Sequence, residues 1–124
     1  MENEIWKDIK GFEGIYQVSS YGKVKRLFTK VKAKNNILRF TPPKILSGIK
    51  DSAGYIMVVL SKNNKAEKHL VHRLVAKTFI PNPENKRTVN HKNRIKSDNR
   101  IENLEWMTHR ENVIHYYMSK NSIK

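Results

Sequence analysis

The chain has 124 residues, 38% of them apolar, no cysteine and a formal net charge of +14. That length suits one domain, or a small domain with an attached module, around a modest core. Without cysteine there is no disulfide framework, Cys-based zinc finger or thiol nucleophile. No apolar run approaches the roughly 18 residues of a membrane helix and no hydrophobic leader opens the chain, so a cytoplasmic protein with no membrane partner is expected.

The charge is unevenly spread. Residues 1–22 hold four acids against two lysines, whereas residues 23–50 hold nine lysines and arginines and no acid. A positive field of this size attracts polyanions, of which nucleic acid is the usual one. A merely solubilising surface mixes both signs.

In chain order, residues 5–19 read as two short extended pieces around a turn between Gly11 and Gly14. Trp6, Phe12, Ile15, Tyr16 and Val18 form a small apolar cluster there, and Tyr21 with Gly22 marks the next turn. Lys30, Lys32 and Lys34 alternate with Val31 and Ala33, the period of a strand with a basic edge for phosphates and an apolar edge for the core. Asn35 and Asn36 would turn it, and Pro42 with Pro43 predicts an extended connector.

Residues 55–60, YIMVVL, make the strongest strand, with a hairpin turn at Asn63 and Asn64 into residues 66–70. A helix is predicted over residues 71–79, its inward face Leu70, Leu74, Val75, Thr78 and Phe79, stopped by Pro81 and Pro83. Residues 89–91 and 104–108 read as strands joined by a polar loop. Thr108 and Glu111 then have the spacing of a capping box, which opens a helix over 109–120 with a packing stripe of Val113, Ile114, Tyr117 and Met118. Strand, long loop, strand and helix can bring a histidine on one strand opposite an amide on the first helical turn, with room for one cation and one phosphate.

The run VNHKNRIKSDNRIENLEWMTHRENV, residues 89–113, resembles the ββα-metal motif of HNH endonucleases, in the homing-endonuclease branch often found in phages and mobile introns. The likeness extends to HRLVAKTFIPNP at residues 72–83. IWKDIKGFEGIYQVSSYGKVKRL at residues 5–27 is similar to the NUMOD4-like module that often accompanies such nucleases. The order HRLVA, NH, NLEW, EN is far more specific than a lone Asn-His pair.

Phosphodiester hydrolysis needs an activated water, a cation to stabilise charge on the phosphate and leaving oxygen, and correct alignment. An imidazole can accept a proton near neutrality, and His91 is the candidate general base. The resemblance implies Asn112 as the helix-borne metal ligand and Asn90 as the other, where many relatives carry Asp or His. It also implies Asn103 as the middle residue of the motif, grouped with His91 in catalysis and expected to tie down the long loop and so orient the histidine. Asn99 is expected to have a similar loop role, and Asp98 to be an extra ligand or a loop-stabilising acid. An Asn carbonyl is a weaker ligand than a carboxylate, so phosphate oxygens of bound DNA are expected to complete the shell of one Mg²⁺ or Mn²⁺ per site. His69, His72, His109 and His115 have no motif support, and Leu104 and Trp106 read as core behind the site.

DNA contacts are expected from Lys23, Lys25, Arg26, Lys30, Lys32, Lys34 and Arg39, with Lys92, Arg94, Lys96 and Arg100 around the site loop, mostly to phosphates. No two-metal carboxylate cluster, P-loop, Gly-x-Ser-x-Gly or Rossmann fingerprint is present. The reading is an α+β protein: a small β-rich basic module over 1–50, followed by a ββα-metal (His-Me finger) nuclease core over 51–124. The resemblance implies hydrolysis of double-stranded DNA to 5′-phosphate and 3′-hydroxyl ends, one strand per centre, by a monomer or homodimer, in the host cytoplasm if the chain is phage-encoded. The rival is a non-catalytic DNA- or RNA-binding protein that keeps the scaffold, with the neutral Asn90 in its favour. A ribosome-associated RNA-binding protein would rest on charge alone.

Overall fold

Period-two burial and two left-handed asparagines build the centre of the fold. In the computed structural model, which describes residues 3–32 and 37–122, Val58 and Leu60 are buried while Val59 between them is exposed, as the pleat requires. Their strand β8 (Ile56–Lys62) turns at Asn63 and Asn64, with φ of 53° and 62°, into β9 (Lys65–Leu70). Positive φ at both central residues is the geometry of a two-residue hairpin turn, and asparagine tolerates it.

Upstream, β1 (Trp6–Asp8), β2 (Tyr16–Ser19) and β3 (Val24–Arg26) form an antiparallel meander. A separate two-stranded ribbon follows, β4 (Thr29–Lys32) with β5 (Leu38–Thr41). Next, β6 (Lys44–Ile45) joins the meander beside β3, and β7 (Ile49–Lys50) joins the β8–β9 sheet. Helix α1 (Val71–Phe79) continues directly from β9. The chain ends with β10 (Thr88–His91), a 3₁₀ turn at Ile101–Asn103, β11 (Leu104–Met107) and α2 (His109–Ser122). This is the expected α+β fold with its strand, loop, strand and helix in order.

Helix α1 has no side-chain cap, so burial stabilises it. Val71, Leu74, Val75 and Ala76 are buried, and the helix packs on β2, β8, β9, β10 and β11. It is the pillar against which the N-terminal meander and the β10–β11 hairpin both lean. The Tyr16 hydroxyl accepts a hydrogen bond from the Ser61 amide at 3.0 Å, so the two parts of the chain share one core.

One expectation changes. The stripe Val113, Ile114, Tyr117 and Met118 on α2 does not pack: all four are at least 40% exposed. Among the described residues helix α2 packs chiefly on β10 and β11. Its N-terminus is instead held by the capping box, with the Thr108 amide donating to Glu111 Oε1 (2.9 Å) and the Glu111 amide to Thr108 Oγ1 (3.0 Å). Such a cap contributes about 1 kcal/mol. The β4–β5 ribbon exposes Leu38 and Phe40, with Phe40 stacked on Phe28 at 5.5 Å between centroids. The side chains of Lys30 and Lys32, and residues 33–36 with Lys34 and the Asn35–Asn36 turn, lie outside what is described.

Candidate active site

The β10–β11 hairpin places the motif. Its register pairs His91 with Leu104 and Asn90 with Glu105, and because successive residues face opposite sides of a strand, His91 and Asn90 diverge from one backbone. His91 is buried and packs beside His72 of α1, ring centroids 5.0 Å apart. Tyr55 stacks on His72, also at 5.0 Å, and lies 6.0 Å from His91, so the three rings form a triangle. Burial, aided by the neighbouring His91 and Arg73, lowers His72 to about 4, so it is neutral at pH 7, and its Nδ1 is buried without a hydrogen-bond partner.

Asn99 holds the histidine directly. His91 Nε2 lies 2.7 Å from Asn99 Oδ1, both side chains buried. A carboxamide oxygen only accepts, so Nε2 carries the hydrogen of this bond, and in the neutral ring the lone pair is then on Nδ1. Asn103 works one step behind. Its Oδ1 accepts from the Asn93 amide (3.0 Å), its Nδ2 donates to the Asp98 carbonyl (2.8 Å), and its own carbonyl accepts from the Lys92 amide (2.8 Å). Tying down the loop is the expected work of Asn103, but the residue bonded to His91 is Asn99. The sequence signal for that assignment, an Asn eight residues after the histidine, is weak without a fold.

Asp98 settles as a loop acid. Arg100 makes two 2.8 Å contacts to it, with Asn93 donating at 2.8 Å. These hydrogen bonds, Arg100 first, hold its carboxyl down at about 2.

Asn90 and His91 line one cleft of about 490 Å³ with Asn112, Arg94, Lys96 and His115. Asn90 Nδ2 lies 3.4 Å from Glu105 Oε2 across the hairpin. Asn112 sits on the first turn of α2, and His115 follows three residues later, so the two share a helix face. That spacing is legible in the sequence. Among the described residues no group of three or more His, Asp or Glu could hold a metal. Asn90 and Asn112 bring neutral carboxamides to the cleft, groups that accept a hard cation weakly and leave sites for phosphate and water. Asn103 does not line the cleft.

The expected DNA-binding side chains divide. Arg94 and Lys96 line the cleft, with Arg94 over Tyr116 and Lys96 over Tyr55 while donating to the Ala53 carbonyl at 2.7 Å. Lys23, Arg39 and Lys92 are exposed. Lys25 lies 4.2 Å from the Trp6 ring centroid, Arg26 donates to the Pro42 carbonyl, and Arg100 is engaged by Asp98 and Glu102. A larger cavity of about 1070 Å³, lined by Lys7, Arg73, Lys77 and Trp106, contains none of the motif residues.

Known proteins resemble both halves. A family model described as the NUMOD4 motif matches residues 4–61, and one described as HNH endonuclease matches residues 69–114. An uncharacterized HNH endonuclease of Acanthamoeba polyphaga mimivirus is 46% identical over 119 residues, covering 92% of this chain and 26% of that relative. The DNA endonuclease I-HmuI of Bacillus phage SP01 is 39% identical over 108 residues, 87% of this chain and 55% of the relative. A solved structure on DNA binding and cleavage by the HNH homing endonuclease I-HmuI matches all of this chain and 62% of that one, with 36% identity and a TM-score of 0.74. The chain thus spans only about a quarter to a little over half of these curated relatives. Sequence and fold together place the chain in the HNH endonuclease family, with a NUMOD4 motif at its N-terminal end and a ββα-metal core behind it.

Proposed function

We propose that this chain is a divalent-metal-dependent DNA endonuclease that hydrolyses one phosphodiester bond per active site. The observation that carries the reading is the committed imidazole: Asn99 occupies Nε2 of His91, leaving Nδ1 to act as general base at the floor of a cleft. The base takes a proton from water as the water oxygen bonds to phosphorus. The bond from phosphorus to O3′ breaks, a 5′-phosphate remains, and the departing oxygen takes up a proton to give a 3′-hydroxyl. Asn103 supports the step by fixing the loop that carries Asn99.

Asn90 and Asn112 would hold one Mg²⁺ or Mn²⁺. When bound, that cation supplies charge neutralisation at the phosphate and leaving oxygen. Arg94 and Lys96, at the same cleft, fit the phosphate, and the acid-free segment 23–50 fits flanking double-stranded DNA. The basic module over 1–50 and the nuclease core over 51–124 are then functional parts of one packed unit. One centre cuts one strand, so a monomer nicks and a double-strand break takes a homodimer or two successive events. The expected setting is the cytoplasm of a cell whose DNA it cuts.

The test is cleavage of supercoiled plasmid with Mg²⁺ or Mn²⁺, comparing the chain with its His91→Ala variant. The expected result is metal-dependent nicking that the variant loses while binding DNA normally. Parental-rate nicking by His91→Ala would refute the base assignment. The neutral pair Asn90 and Asn112 favours a second reading, a DNA-binding protein without activity; silence of the parental protein with both metals, alongside intact binding, would establish it.

A further inference from the structure

The N-terminal meander meets the active-site loop at one turn. Residues 19–23 join β2 to β3, and the turn is stiff: Ser19 is fully buried, and its Oγ accepts from the Tyr21 and Lys23 amides at 3.2 and 3.1 Å. The Ser19 amide donates to the Lys23 carbonyl and the Gly22 amide to the Ser19 carbonyl. The neighbouring Ser20 carbonyl accepts from the Ile101 amide at 3.0 Å, which pins the turn to the end of the site loop.

Gly22 is the point of contact. Its φ is +87°, and a Cβ there would lie 2.7 Å from both Asn99 Cβ and the Asn99 carbonyl oxygen. Only glycine lets the turn close onto Asn99, the residue that holds His91. Two elements hold the loop at Asn99: Asn103, whose Nδ2 donates to the preceding Asp98 carbonyl, and the N-terminal turn carrying Gly22.

We propose that the turn at residues 19–23 is a positioning element for the catalytic base, acting through Gly22 on Asn99 and through Asn99 on His91. The proposal rests on reading His91 as the base. The N-terminal module is then part of the active-site scaffold as well as a handle for DNA. Lys23, exposed on this same turn, makes it a place where phosphate contact and alignment of the base meet.

The test compares Gly22→Ala with Gly11→Ala. Gly11 has a similar φ of +88° in the same module but nothing within 4 Å of its Cβ position, so it reproduces the backbone strain without the collision. Gly22→Ala should lower kcat about 10- to 100-fold, the scale of a misplacement near 1 Å, with KM and DNA affinity unchanged. Gly11→Ala should keep the parental kcat. In the Asn99→Ala background, Gly22→Ala should cost no further activity, because the route to His91 is already cut. Ser19→Ala, which loosens the turn without a collision, should lower kcat in the same direction and carries the comparison if Gly22→Ala does not fold. Imidazole ¹⁵N chemical shifts of the DNA-free protein supply a readout independent of cleavage: His91 should be a single Nε2–H tautomer in the parent and a mixture in Gly22→Ala or Ser19→Ala. Parental rates and an unchanged tautomer in the folded variants would overturn the proposal, as would equal losses from Gly11→Ala and Gly22→Ala. A parental protein that never cuts DNA refutes the endonuclease reading instead, and the tautomer comparison alone then decides whether turn and histidine are coupled.

Discussion

The Nε2 atom of His91 lies 2.7 Å from Oδ1 of Asn99, inside the protein. Asn99→Ala therefore frees the ring to rotate and to exchange tautomers. A general base contributes roughly 10²–10⁴-fold to a rate, and a base that is present but badly oriented should lose part of that, about 10- to 100-fold in kcat. DNA affinity should not change. Asn99→Asp, which keeps an acceptor at the same place, should retain more activity than Asn99→Ala. Plasmid nicking rates beside a binding isotherm decide it, and equal rates for parent and Asn99→Ala would remove Asn99 from the mechanism.

Asn90 faces Glu105 across the hairpin at 3.4 Å. Asn90→Asp would set two carboxylates side by side, which costs stability in the metal-free protein and favours a bound cation. The expected pattern is a lower melting temperature without metal, recovery of it with Mg²⁺, and a lower metal concentration at half-maximal activity. Asn112→Ala should move that midpoint the other way. Metal titrations with unchanged midpoints in both variants would take the two residues out of the metal shell.

His72 should make the fold sensitive to mild acid. Burial lowers its pKa from 6.5 to about 4. Between these values the unfolded chain binds a proton that the folded chain refuses, so stability falls with pH there. The contribution is fully present above pH 6.5 and is lost as the pH drops towards 4. His72→Phe, which keeps a ring beside Tyr55 and His91, should flatten this part of the profile. Thermal melts across the range are the measurement, and parallel curves for the two proteins would contradict the assignment. Asp98, held at about 2 from 3.8, acts in a separate and more acidic window.

Replacing Lys30, Lys32 and Lys34 together with Ala should weaken duplex binding and make it less salt-dependent. Each phosphate contact adds about 0.9 to the slope of log affinity against log salt, so the loss is up to about 2–3 units. It should be similar on unrelated DNA sequences, since phosphates carry no code. An unchanged slope would mean that this edge only faces solvent, and a loss limited to one sequence would mean that it reads bases.

Local rules made most elements legible. Alternation gave away β8, the Asn63–Asn64 pair its hairpin, and the prolines at 81 and 83 the end of α1. The Thr108–Glu111 capping box marked the start of α2 because both of its hydrogen bonds are made within one turn. The same local view failed for the apolar stripe of α2. Periodicity says that a helix has an apolar face; whether anything covers that face depends on neighbours far along the chain.

The site divides in the same way. The spacing of Asn90, His91, Asn103 and Asn112 was readable because one hairpin and one helix, contiguous in the chain, carry all four. His72 beside His91, and Gly22 against Asn99, were not readable. Each pair comes from segments separated by many residues, and neither is joined by hydrogen bonds that leave a periodic trace. Only the packing of α1 and of the N-terminal turn against the hairpin decided them. Sequence determined which groups could do the chemistry, since residue type and local spacing carry that information. Tertiary structure decided which nitrogen of His91 meets Asn99 and which distant turn lies against that partner, since both depend on packing between segments far apart in the chain.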